Sequence, residues 1–69
     1  VSQEEVYRYL LRHGPATALD IEPDSGRRGK VYRALQRMVK YREVVVLREP
    51  MYGPEGRLPT LYGIRGVHG

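Results

Sequence analysis

Apolar positions recur every three or four residues through the first half of this chain, then give way to short runs of β-branched and alternating residues. In SQEEVYRYLLRHGP, Val6, Tyr9, Leu10 and His13 fall at i, i+3, i+4 and i+7, one stripe of a helix. Leu11 and Tyr7 widen that stripe, as expected for a helix wedged between two other elements. Ser2 is placed to cap the first turn and Glu5 to complete a capping box, Glu4 and Glu5 suit the positive end of the dipole, and Gly14–Pro15 stops the segment. The predicted helix covers about residues 2–13.

PATALDIEPDSG is short and mixed. Ala16 and Thr17 form a brief extended piece, Thr17 then caps a single helical segment over about 17–22, and Leu19 with Ile21 is expected to supply its core contact. A longer helix follows over about 26–41, capped by Asp24 or Ser25. At about 100° per residue, Val31, Ala34, Leu35, Met38 and part of Val39 share one arc, while Gly29, Lys30, Arg33, Gln36, Arg37 and Lys40 share the opposite one. VVVLREP reads as a strand over about 44–49 and TLYGIR as its return over about 60–65. MYGPEGRLP between them, with two glycines and two prolines, reads as a long hairpin loop, and GVHG as a frayed terminus. The resulting class is α+β: three helices on a short antiparallel hairpin, as one domain over residues 1–69.

Composition narrows the chemistry. A hydrophobic share of 41% beside 29% charged residues is that of a folded domain rather than a disordered tail, and no apolar run approaches the length of a membrane span. The absence of cysteine excludes disulfide frameworks, thiolate zinc sites and thiol catalysis. Asp20, Glu22 and Asp24 resemble a carboxylate cluster, but they occupy helix-start and turn positions where side-chain oxygens satisfy free backbone amides, so catalysis is not assigned to them. His13 is read as a last-turn residue near the carbonyl end of its helix rather than a ligand. GRRGK lacks the preceding strand and following Ser or Thr of a phosphate-cradling loop. No enzyme, cofactor, metal or small-molecule ligand is expected, and with no signal-peptide pattern the default location is cytoplasmic.

Net charge is +4, but its placement says more than its sum. Residues 27–42 hold Arg27, Arg28, Lys30, Arg33, Arg37, Lys40 and Arg42 with no acid among them, the footprint of a polyanionic partner. Arginine suits guanine edges and phosphate, lysine supplies point charge and glutamine pairs with adenine, so these side chains suit a helix lying in a major groove. Gly29 removes a side chain where a duplex backbone would approach closely.

The order of elements resembles a winged helix-turn-helix domain from Ser2 to about Arg65: HGPATALDI is similar to its helix-one exit and second-helix start, VYRALQRMVKYREV to its recognition helix running into the wing, and GRLPTLYGI to its wing return. The resemblance implies double-stranded DNA binding, as a small transcription regulator or as the DNA-binding module of a larger replication or partition protein. Lys30, Arg33, Gln36, Arg37 and Lys40 would face the groove, Arg28 would stand at the start of the helix, and Arg57 would lie on the wing. LPTLYGI also resembles the wing of Z-form nucleic-acid binders, but Tyr32 and Gln36 stand where that group pairs an asparagine and a tyrosine. The alternative reading is a winged-helix protein-interaction module docking on an acidic partner, with Met51, Tyr52 and Leu58 as an apolar contact. A homodimer or a larger parent protein is the expected source of any additional binding surface.

Overall fold

Each helix of the chain begins at a side-chain cap. In the computed structural model, which describes residues 2–69, helix α1 spans Gln3–His13. The Ser2 hydroxyl accepts from the Glu5 amide at 3.2 Å, and Gly14, at a φ of 85°, closes the helix by donating to Leu10. Strand β1, Ala16–Thr17, leads directly into helix α2, Ala18–Ile21. Thr17 and Asp20 bond each other's backbone amides in a reciprocal capping box, at 3.0 and 3.2 Å. Asp24 then caps helix α3, Ser25–Lys40, by accepting from the Gly26 amide at 2.9 Å. Two of the three carboxylates Asp20, Glu22 and Asp24 are thus committed to helix starts. Glu22 accepts more weakly from the Asp24 amide at 3.4 Å.

The core lies where one face of α1, one face of α3 and the inner face of a sheet converge. Val6 and Leu10 of α1, Ala18 of α2, and Val31, Leu35 and Met38 of α3 are sealed together with Val44 and Ile64. Val44 belongs to strand β2, Val44–Arg48, and Ile64 to the last strand, Leu61–Ile64. Between them the polypeptide adds a separate two-stranded ladder, β3 (Met51–Gly53) and β4 (Gly56–Leu58), so the last strand is β5. β5 is central in the main sheet, pairing antiparallel with β1 on one side and β2 on the other. Val44, Val45 and Val46 face Ile64, Gly63 and Tyr62, and the register shifts after Val46 so that Arg48 opposes Leu61.

Several sequence expectations change here. Residues 51–58, read as loop, extend the wing as a ladder, with Gly56 taking a φ of 116° after Pro54–Glu55. Leu19 does not supply the core contact of α2; it is 47% exposed, and Ala18 fills that place because the helix is a single turn and cannot bury both. Tyr9 does pack against the core, half-buried, with its hydroxyl donating to the Asp20 carbonyl at 3.2 Å and its ring 4.3 Å from that of His13. Leu11 is 51% exposed rather than wedged. The terminal GVHG is not frayed: Val67 and His68 donate to the Ile64 carbonyl, and the His68 Nδ1 accepts from the Ile64 amide at 2.9 Å. Gly63 makes this possible, since a Cβ there would lie 2.6 Å from Leu47 and 2.8 Å from His68.

A donor ridge beside the wing

Burying Val31, Ala34, Leu35 and Met38 dictates what α3 turns outward. Lys30, Arg33, Gln36, Arg37 and Lys40 are all exposed on the far side of the helix, and Arg33, Gln36, Arg37 and Lys40 line one shallow open hollow. Among the described residues none of these four cations has a carboxylate within ion-pair distance. The ion pairs formed are Arg8 with Glu4, and Arg27 with Asp24 at 3.8 Å. The helix dipole accounts for Arg37 and Lys40 in the last turn, where cations are stabilising, but not for a first turn that carries Arg27 and Arg28 and no acid. Lys40 also lies 5.9 Å from the Tyr41 ring.

Arg28 stands apart from that ridge. Its Nε donates to the Glu22 carbonyl at 3.0 Å and its Nη2 to the Pro23 carbonyl at 2.6 Å, so the guanidinium ties the start of α3 to the end of α2. Arg57 is on β4, its guanidinium 5.9 Å from the ring of Tyr52, which is 82% exposed. Met51 and Leu58, about half exposed, pair with each other at the base of the same ladder. Gly29 lies on the outer face with nothing within 4 Å of the position a Cβ would take. The protein's own packing therefore gives no reason for a glycine there.

Two features of this region were not singled out in the sequence. Arg42 adopts a φ of 62° after α3, with its amide donating to Val39 and that of Glu43 to Met38, the paired bonds of a Schellman ending usually built on glycine. Arg48 donates from Nη2 to the Pro59 carbonyl at 3.1 Å while its Nε is shut from solvent without a partner. An orphaned buried donor of this kind costs about 1–3 kcal/mol. Nearby, burial pushes the Tyr62 phenol above its ordinary pKa of 10.0, with the Tyr32 phenol adding to the effect, the Thr60 side chain opposing it by hydrogen bonding, and the Glu49 carboxylate adding last. A roomier hollow, lined by Gln3, Glu4, Tyr7, Arg42, Glu43, Arg65 and Gly66, mixes acids with bases and gathers no set of like donors.

The family described as "Sugar-specific transcriptional regulator TrmB" matches residues 2–64, nearly the whole chain. The chain belongs to the TrmB family. No curated protein and no solved structure matches it. Membership establishes a winged helix-turn-helix domain of the DNA-binding transcription-regulator kind, and the three helices followed by an antiparallel wing are that architecture. The family is one of transcriptional regulators and not an enzyme class. No helix among the described residues is long and apolar enough to cross a membrane.

Proposed function

We propose that this TrmB-family domain binds duplex DNA by laying α3 in the major groove, with the wing against the adjacent backbone or minor groove. The observation that carries the reading is the stripe of Lys30, Arg33, Arg37 and Lys40, exposed and without acidic partners on the face opposite the core. Arg33, Arg37 and Gln36 have the side-chain types that read base edges, whereas Lys30 and Lys40 supply charge toward phosphates. Arg28 serves first as a brace that fixes the start of α3, and Arg57 reaches the duplex from the wing, its guanidinium held over Tyr52. Such a module regulates transcription without catalysing a reaction, and a cytoplasmic setting goes with that role. One helix and one wing cover a modest area, so tight site-specific binding calls for a second copy or a longer parent chain.

The double variant Arg33→Ala/Arg37→Ala tests this. Both side chains are exposed, so stability should change by no more than about 0.5 kcal/mol. Duplex affinity should fall at least about tenfold. The wild-type dependence of log K on log salt should have a slope of roughly −4 to −5, for about four to six neutralised phosphates. Unchanged affinity in the double variant would sink the assignment. The exposed Met51, Tyr52 and Leu58 favour one rival, docking of the wing on a protein partner. That rival leaves duplex affinity indifferent to Arg33 and Arg37.

A further inference from the structure

The wing is joined to the body of the domain by two short links. β2 ends at Arg48 and β3 begins at Met51, while β4 ends at Leu58 and β5 begins at Leu61, so residues 49–50 and 59–60 form the links. The register on either side agrees: Arg48 opposes Leu61, and Met51 opposes Leu58. A ladder carried straight through would set Pro50 opposite Pro59, two residues with no N–H to give, and the pairing lapses there into two separate sheets. Packing does not replace it, since every residue of β3 and β4 is exposed. Arg48 spans this break. Its Nη2 donates to the Pro59 carbonyl at 3.1 Å, from the last residue of the outgoing strand to the first residue of the returning link. Its Nε is shut from solvent without a partner, so the guanidinium is seated in the protein rather than swung out into solvent.

We propose that Arg48 is a positioning residue for DNA recognition: by tying β2 to the returning link it fixes the angle of the wing against α3, and with it the place from which Arg57 meets the duplex. The inference rests on the DNA reading above and says how that reading's two contact surfaces are held in one geometry. Pro59 follows β4 directly, two residues after Arg57, so a fixed Pro59 carbonyl fixes the strand that carries the reaching cation. An arm on two unpaired links is free to swing, and ordering it on the duplex would subtract from affinity; a wing held beforehand avoids that loss. The tie also accounts for an arginine kept at a site that leaves its Nε unpaired. Arg48 makes no contact with DNA of its own and acts through Arg57.

The test is a double-mutant cycle between Arg48→Met and Arg57→Ala, read as affinity for a mixed-sequence duplex, with Arg33→Ala as the comparison. In the wild-type chain Arg57→Ala should cost about tenfold, and in the Arg48→Met background about twofold or less, while Arg33→Ala costs the same in both. Equal costs of Arg57→Ala in the two backgrounds overturn the positioning role, since the two arginines then act independently, as they would if Arg48 touched a phosphate itself. A cost of Arg33→Ala that falls in step with that of Arg57→Ala marks a general loss of fold and also overturns it. Backbone heteronuclear NOEs of the free wild-type chain should be as high over residues 51–58 as over α3, and they decide alone if Arg48→Met does not fold. Low values confined to the wing overturn the inference and leave the DNA reading standing. A wild-type chain that binds no duplex overturns both.

Discussion

At the scale of single residues, two positions carry backbone costs that the fold does not need. Gly29 sits inside a helix in open space, where alanine is favoured by about 0.5–1 kcal/mol. Gly29→Ala should raise stability to denaturant by that amount and, because its added methyl meets the approaching duplex, weaken DNA binding several-fold; a variant that gains stability with no loss of affinity contradicts close approach at this point. Arg42 is the converse, a side chain held at a φ of 62° where glycine is at ease. Arg42→Gly should stabilise the domain by about 1 kcal/mol in chemical denaturation, and a loss of stability would show that the arginine side chain makes compensating contacts. Arg28 shows what residue type alone leaves out: its Nε and Nη2 donate to the carbonyls of Glu22 and Pro23, so it also braces the start of α3.

At the scale of elements, α3 and its caps were legible because local rules determine them. The apolar arc from Val31 to Met38, the Asp24 cap and the Thr17 cap of α2 follow from spacing and short-range hydrogen bonding, whereas of the box expected at Ser2 and Glu5 only the bond to the Ser2 hydroxyl forms, and the reciprocal box stands at Thr17 and Asp20. The wing was legible only at its base. Strands β3 and β4 are exposed at every residue, so no buried–polar alternation announces them, and the turn through Pro54, Glu55 and Gly56 is indistinguishable in composition from a plain loop. The terminal turn depends on Gly63 leaving room for Leu47 and His68, a tertiary fact. The β5 strand offers its own test through Tyr62. Burial keeps this phenol neutral in the fold, whereas an unfolded tyrosine loses its proton near 10.0, so the contribution of Tyr62 to stability is complete below that pH and declines above it. The wild type should therefore lose stability on the alkaline side more steeply than Tyr62→Phe. Parallel curves from pH 9 to about 11 would contradict that coupling.

At the scale of the whole molecule, the fold separates its charges. Asp20 and Asp24 cap helix starts and Glu22 accepts from the turn between them, while the cations of α3 are left facing outward, opposite the core. The ridge is therefore a property of the assembled domain: the sequence supplies seven cations between 27 and 42, but packing decides that Lys30, Arg33, Arg37 and Lys40 form the stripe, while Arg28 and Arg42 serve the ends of the helix. The most direct measurement is a titration of isotope-labelled protein with a mixed-sequence DNA duplex, following backbone amide shifts at low and at moderate salt. Shifts concentrated on residues 28–40 and around Arg57, fading as salt is raised, are the expected result. A spectrum that does not move at low salt, where the electrostatic attraction is strongest, would contradict DNA recognition by α3.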